Sequence, residues 1–225
     1  MSTMMEVTDL SKYYGKVKIF ENINFTISAH ETLGLYGDSG GGKTTVGRML
    51  VKLDRPTSGQ ILYKGHDINE MGRREFRRYR SKLQMIFQNP ETSIDPRSKL
   101  YDCVAEPLII QKKGDKEEIR KEVSRLVEMV GLRDIHLQRY PHQLSGGEIQ
   151  RAVLARVIAL RPELIVADEA TSMLDVSTQA QVLRLMQKIQ EETGVSYLMI
   201  SHDEDVLKAT CDRILKFQNG SLKEV

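Results

Sequence analysis

The stretch GDSGGGKTT, Gly37 to Thr45, constrains the fold of this chain more than any other. It fits G-x-x-x-x-G-K-[ST]. Before it runs a short, nearly all-apolar segment, TLGLYG (Thr32 to Gly37), and after it a segment of helical character from about Lys43 to Lys52. An apolar run of that length reads as a strand of a parallel sheet, buried on both faces. Between such a strand and a helix, glycines let the backbone wrap closely, so that successive N–H groups converge on an anion at the positive helix end. The pattern predicts a phosphate cradle built from Gly37, Ser39, Gly40, Gly41, Gly42, Lys43, Thr44 and Thr45. Lys43 is expected to reach the β and γ oxygens of a nucleotide, and the Thr44 hydroxyl to ligate Mg2+.

LIVADE supplies the second half of such a site. Leu164 to Ala167 reads as a buried strand, and Asp168 stands at its C-terminal end, where open α/β sheets bind ligands. A carboxylate there can hold a Mg2+-bound water. Glu169 follows at once, placed to accept a proton from a water attacking the γ-phosphate. The plain alternative is that the two acids cap the next helix.

A third signal is LSGGEIQR, Leu144 to Arg151. Ser followed by two Gly, opening onto a helical run from Glu148 to Leu160, forms a cup of backbone N–H groups that also favours an anion. One chain thus carries two phosphate-type cradles about a hundred residues apart.

The rest of the pattern places these motifs. MEVTDL and IFENINFTI have strand character, with a turn at Tyr14-Gly15-Lys16; QILYKG and KLQMIFQ are again strand-like. From about Asn89 to Ile158 the texture turns helical, as in KEEIRKEVSRLVEMVG, where Ile119, Val123, Leu126, Val127 and Val130 recur at helical spacing up to Gly131. Strand texture returns in ELIVAD and VSYLMIS, separated by a helix around Thr178 to Glu192, and a hairpin closes the chain at Asn219-Gly220. The expectation is an α/β fold: a P-loop NTPase core with a parallel sheet, an N-terminal antiparallel β-subdomain and an inserted α-helical subdomain. The core takes residues 1–88 and 159–225, the insert residues 89–158.

With 225 residues, 40% of them hydrophobic, and a formal net charge of +2, the chain is large enough for a sizeable core and has no charge excess calling for a polyanion. The basic run RREFRRYRSK, Arg73 to Lys82, can touch nucleic acid or headgroups, but reads first as a solvated surface. No apolar stretch reaches the ~18 residues of a membrane span, and the N-terminus lacks a signal-peptide pattern. Cys103 and Cys211 are isolated, without metal spacing, and read as plain thiols.

In their order and spacing, the P-loop, LSGGEIQR, VADEA, SMLD and ISHD resemble the ATP-hydrolysing subunits of ABC transporters, over nearly the whole chain. That resemblance implies ATP and Mg2+ as cofactors. It further implies that Tyr14 in KYYG, or alternatively Tyr13, stacks on adenine. Gln88 in MIFQNP touches Mg2+ and the attacking water and reports on the membrane half; His202 in ISHD contacts the γ-phosphate; Asp175 in SMLD makes a contact across a dimer seam. Ser145, Gly146, Gly147 and Glu148 then close not over their own P-loop but over ATP held by a partner packed head to tail. Charge-assisted hydrogen bonds to a buried anion contribute about 1.5–3 kcal/mol each. Moving a two-state equilibrium from mostly open to mostly closed takes ~5.5 kcal/mol. Two or three bonds at each of two sites therefore suffice for ATP to hold the pair closed, and loss of the γ-phosphate to release it.

Three positions depart from the family pattern. Glu148 stands where many relatives have Gln, Gly41 where Ser is common, and His30-Glu31 where Gly-Glu is usual. A carboxylate at position 148 repels a partner's phosphates unless it turns aside, for instance to a ribose hydroxyl, so a modest effect is expected. FQNPETSIDPRSKL, YPHQLSGG and ADEATSMLDVSTQAQVL look most like the oligopeptide, dipeptide and nickel importer class. The implied partners are two transmembrane permease subunits, a second ATPase subunit, different or identical, and indirectly a substrate-binding protein, with no nucleic acid. The implied location is peripheral, at the cytoplasmic face of the cell membrane. The chain ends soon after FQNGSLKEV, without the longer arm common in peptide importers, which leans toward nickel or a metal chelate. The rival readings are a soluble ABC-type ATPase acting on nucleic acid or ribosomes, which usually carries coiled-coil insertions, and a regulatory subunit, which would lack Lys43, Glu169 or His202.

Overall fold

The apolar alternation of the first thirty residues closes into a long hairpin, β1 (Thr3–Tyr14) with β2 (Val17–Ser28), paired from Thr3↔Ser28 to Tyr14↔Val17. In this computed structural model residues 2–38, 40–218 and 220–225 are described, apart from the side chains of residues 90 and 91. Ser39 of the Gly-rich loop and Asn219 of the closing hairpin, both singled out above, lie outside the described residues. The chain divides into two compact units.

The first unit comprises Met1–Met85, Glu163–Glu169 and Gly194–Val225. Its remaining elements are β3 (Thr32–Gly37), α1 (Lys43–Leu50), β4 (Ser58–Tyr63), β5 (His66–Asp67), α2 (Arg73–Phe76), β6 (Leu83–Ile86), β7 (Leu164–Asp168), β8 (Ser196–Ser201), α7 (Glu204–Thr210), β9 (Arg213–Gln218) and β10 (Ser221–Glu224), with β6 ending at the unit boundary. One sheet is antiparallel in the order β2-β1-β4-β5; the other runs β10-β9-β3-β8-β7-β6. Within the second, β3 pairs in parallel with β8 and β9, and β7 with β8, while β10 returns antiparallel on β9. Both sheets share one apolar core, to which Met5, Leu10, Phe20 and Ile27 contribute from the first and Leu33, Leu35, Val166, Leu198 and Ile200 from the second. All five residues of β7 are buried, which is why that segment reads as uninterrupted apolar sequence. The basic run holds the short α2, with Phe76 buried and its arginines exposed. His30 occupies the turn before β3 at φ +65°, and its N–H donates to Ser196 Oγ at 2.8 Å.

The second unit comprises Ile86–Pro162 and Ala170–Thr193 and is helical. It contains α3 (Leu100–Ile110), α4 (Lys116–Met129), α5 (Gly146–Ile158) and α6 (Val176–Thr193), with short 3-10 turns at Pro90–Ser93, Asp134–Gln138 and Pro141–Gln143. Asp115 and Glu118 close a capping box at the start of α4, and Ile119, Val123, Leu126, Val127 and Val130, the periodic residues, are all buried. Helix α5 begins at Gly146 rather than at Glu148, because Ser145 is its N-cap and draws the two glycines into the first turn.

Candidate active site

Strand β3 ends at Gly37, and the loop that follows delivers the chain into α1 at Lys43. Gly42 caps that helix with φ +103°, a conformation that disfavours any residue with a Cβ, and a Cβ there would meet Ile19 Cγ2 at 2.8 Å. No side chain among the described residues caps α1, so its first N–H groups converge on the loop, with the helix dipole behind them. Lys43 is buried; its Nζ donates to the carbonyls of Gly37 and Asp38, both at 2.7 Å. Burial pulls its pKa down, and Glu169, Asp168 and Asp38 pull it back up.

Thr44 Oγ1 donates to Asp168 Oδ1 at 3.0 Å, bringing together residues 124 positions apart. Asp168 is 5% exposed at the C-terminal end of β7, and burial pushes its carboxyl above the usual range while the Thr44 hydroxyl pulls against it. Glu169 has φ +46°, left-handed backbone that costs a residue with a side chain roughly 1–2 kcal/mol. Its N–H donates to the Ile200 carbonyl at 2.9 Å, and its Oε1 lies 3.3 Å from His202 Nδ1. Strained backbone of this kind concentrates at functional sites. Gly37, Gly40, Gly41, Gly42, Lys43, Thr44, Thr45, Asp168, Glu169 and His202 thus belong to one unit, at the loops following the parallel strands.

Tyr14, at the hairpin tip of the same unit, is 53% exposed, and its hydroxyl donates to Asp54 Oδ2 at 2.6 Å. The Tyr13 hydroxyl is engaged by Glu21 instead.

In the second unit the Ser145 hydroxyl accepts from Glu148 N–H at 3.3 Å and donates to Glu148 Oε2 at 2.9 Å. The same Oε2 accepts from the Ser145 N–H at 2.8 Å, and Oε1 lies 3.1 Å from Nε2 of the buried His136. The Glu148 carboxyl is held below its ordinary range, foremost by the Ser145 backbone N–H. Rather than projecting outward, it is thus folded back onto its own cap. Asp175 Oδ1 accepts from Thr178 N–H at 3.0 Å at the start of α6, and Thr178 Cγ2 would stand 2.6 Å from a Cβ on Gly147. The cup and SMLD are therefore adjacent. Gln88 is exposed in the segment after β6. Reading the sequence did not anticipate His136, Lys12 or Asp54; Lys12 opens the KYYG segment that carries Tyr14, and the other two stand in no motif.

No group of three His, Cys, Asp or Glu side chains among the described residues is arranged for a metal ion. Cys103 is buried and Cys211 half-buried, both as thiols. No helix among the described residues is long and apolar enough to cross a membrane.

A buried lysine in a glycine loop, a hydroxyl against a strand-end carboxylate and an adjacent second acid define a nucleotide-binding cassette. The family model described as ABC transporter matches residues 20–172. The oligopeptide transport ATP-binding protein AppF of Bacillus subtilis strain 168 is 40% identical over 235 residues, covering 99% of this chain and 71% of AppF. OppF of Lactococcus lactis subsp. lactis strain IL1403, also an oligopeptide transport ATP-binding protein, is 40% identical, covering 100% of this chain and 74% of OppF. The dimeric structure of MJ0796, a bacterial ABC transporter cassette, superimposes with a TM-score of 0.86 at 29% identity, over 99% of this chain and 98% of that one. The chain belongs to the ABC transporter family, as one of its ATP-binding, ATP-hydrolysing subunits. Both relatives are named for oligopeptides, so the lean toward nickel finds no support in them.

Proposed function

We propose that the chain powers peptide import by pairing head to tail with a second ATPase subunit around two ATP molecules. In each site the P-loop, Asp168, Glu169 and His202 of one molecule face Ser145, Gly146, Gly147 and Asp175 of the other. The observation that carries the reading is the Thr44 hydroxyl 3.0 Å from Asp168 Oδ1, with Glu169 next in the chain and 3.3 Å from His202.

A hydroxyl and a carboxylate form an all-oxygen donor pair, which suits Mg2+, an ion that takes few protein ligands beside water and substrate phosphates. Thr44 and Asp168 would hold it, and when bound it would neutralise charge on the β- and γ-phosphates. Lys43 and the first N–H groups of α1 bind the same oxygens, and Tyr14 stacks on the adenine. Glu169 accepts a proton from the water that attacks the γ-phosphorus as the bond to the β,γ-bridging oxygen breaks and ADP leaves. His202, beside Glu169, orients that carboxylate and contacts the γ-phosphate. Departure of phosphate removes hydrogen bonds that the partner's cup makes, and the pair reopens.

Support for the pairing comes from MJ0796, whose cassette exists as a dimer and also in a dimeric post-hydrolysis state bound to ADP and Pi. Support for peptide as cargo comes from AppF and OppF. The partners in this reading are two permease subunits and, indirectly, a substrate-binding protein, with the chain peripheral at the cytoplasmic face of the membrane.

Glu169→Gln tests the chemistry. Turnover is expected to fall by about 10²–10⁴ while Mg-ATP binding is kept; turnover at the wild-type rate refutes the base assignment. Sedimentation with membranes when the neighbouring membrane proteins are co-expressed tests the transporter reading, and a chain that stays in the supernatant counts against it.

A further inference from the structure

The stacking role of Tyr14 raises a physical difficulty. An aromatic side chain at an exposed hairpin tip samples several rotamers, and a base that stacks on it must immobilise the ring, at a cost in affinity. The structure contains a device that removes this cost. The Tyr14 hydroxyl donates to Asp54 Oδ2 at 2.6 Å, fixing the far end of the ring. Lys12 Nζ sits 4.6 Å from the ring centroid, over one face, at cation–π distance. Lys12 is itself only 7% exposed and is held by Asp54 Oδ1 at 2.8 Å and by the Arg55 carbonyl at 2.6 Å. One carboxylate therefore grips both the ring's hydroxyl and the cation beneath the ring.

Asp54 is in turn fixed to the P-loop helix. Leu53 N–H and Asp54 N–H both donate to the Arg48 carbonyl in the last turn of α1, at 2.8 and 3.3 Å. That helix begins at Lys43 of the phosphate cradle, so the ring and the cradle are joined through a single rigid element. The strand side is tied down as well: Tyr13 N–H donates to Thr57 Oγ1 at 3.0 Å and Thr57 N–H to the Ser11 carbonyl at 2.9 Å.

We propose that Asp54 and Lys12 are positioning residues for nucleotide binding, holding the Tyr14 ring pre-oriented so that a purine base stacks on the face opposite Lys12. The inference rests on the reading of Tyr14 as the base platform, and the test separates the two. Because the device acts on the base and not on the phosphates, its loss weakens binding of ATP and leaves inorganic tripolyphosphate untouched. A merely structural role for Asp54 would weaken both.

Calorimetric titration of the full chain with Mg-ATP and with Mg-tripolyphosphate reads this directly. Tyr14→Ala is expected to bring ATP affinity down toward that of tripolyphosphate. Tyr14→Phe, which keeps the ring and removes the tether, and Asp54→Asn are each expected to weaken ATP by about three- to tenfold, the range given by the cost of immobilising one side chain. Their double variant is expected to be no weaker than either single one, and tripolyphosphate binding to stay at the wild-type value throughout. If Tyr14→Ala loses ATP affinity while Tyr14→Phe and Asp54→Asn bind as wild type, the tether is refuted and the platform stands. An unchanged Tyr14→Ala refutes the platform and the tether with it. Loss of tripolyphosphate affinity in Tyr14→Phe and Asp54→Asn equal to the loss of ATP affinity overturns the positioning role.

Discussion

Glu148 lies in the LSGGEIQR segment that, in the proposed pairing, faces a partner's phosphates, and its contacts with Ser145 and His136 predict what its removal does. In Glu148→Ala the Ser145 N–H loses its charged acceptor, and Nε2 of His136, whose side chain is 8% exposed, loses the carboxylate 3.1 Å away. A charge-assisted bond of this kind is worth about 1.5–3 kcal/mol when dry, but the Glu148 side chain is 29% exposed, which reduces that. Adding the unpaired imidazole nitrogen gives a loss of about 2 kcal/mol. Glu148→Gln keeps an acceptor for the Ser145 N–H and loses only the charge at the helix N-terminus and on His136, about 0.5–1 kcal/mol. For a chain of this size 1 kcal/mol moves the melting temperature by about 2–4 °C. The expected falls are therefore about 4–8 °C for Glu148→Ala and about 1–4 °C for Glu148→Gln, read by circular dichroism at pH 7. The carboxyl is held below its ordinary 4.5 in the folded chain. Its contribution is thus complete above pH 4.5 and disappears as the pH drops through the folded value, so the gap between wild type and Glu148→Gln closes on acidification. Melting within 1 °C of wild type for both variants refutes the network. The same geometry bounds the functional effect. Because the charge is already folded back onto Ser145 and His136, Glu148→Gln should change ATP-driven pairing by less than about tenfold, under 1.4 kcal/mol. A hundredfold gain would show that the carboxylate acts on the phosphates directly.

Two further substitutions probe the sites from opposite directions. Burial raises the Asp168 carboxyl above its ordinary 3.8, so the folded chain binds that proton more tightly than the unfolded one, and ionisation of the group costs stability at neutral pH. Asp168→Asn is expected to raise the thermal midpoint at pH 7 by a few degrees, on the order of 0.5–2 kcal/mol, while abolishing turnover, with the gain shrinking as wild type is acidified toward the folded pKa. A lower midpoint for the variant would contradict this. In the second unit, Gly147→Ala places a Cβ 2.6 Å from Thr178 Cγ2. It should cost about 1–3 kcal/mol from overpacking, recovered in Gly147→Ala/Thr178→Ser, whose serine lacks that methyl; failure of the double variant to recover places the strain elsewhere.

What the sequence made legible and what it concealed divide along one physical line. The β3–loop–α1 unit and the strand-end pair Asp168-Glu169 are read from neighbours in the chain, because a buried strand is continuously apolar and a phosphate loop follows it directly. Their apposition across 124 positions was still inferable, since parallel strands place their C-terminal ends on one edge. The partners of the motif residues obey no such rule. Tyr14 meets Asp54 across 40 positions and Lys12 meets it across 42, through a loop whose course no periodicity encodes. His136 reaches Glu148 from a 3-10 turn, Asp134–Gln138, too short to leave a hydrophobic pattern, and α7 escaped notice for the same reason. A carboxylate in the signature thus looks from sequence like a charge facing phosphates, yet in the fold it is a cap whose charge is already engaged. The motif fixes which atoms can meet a ligand. Whether they are held ready for it is decided by residues such as His136, Lys12 and Asp54, whose identity matters only once the chain has brought them there.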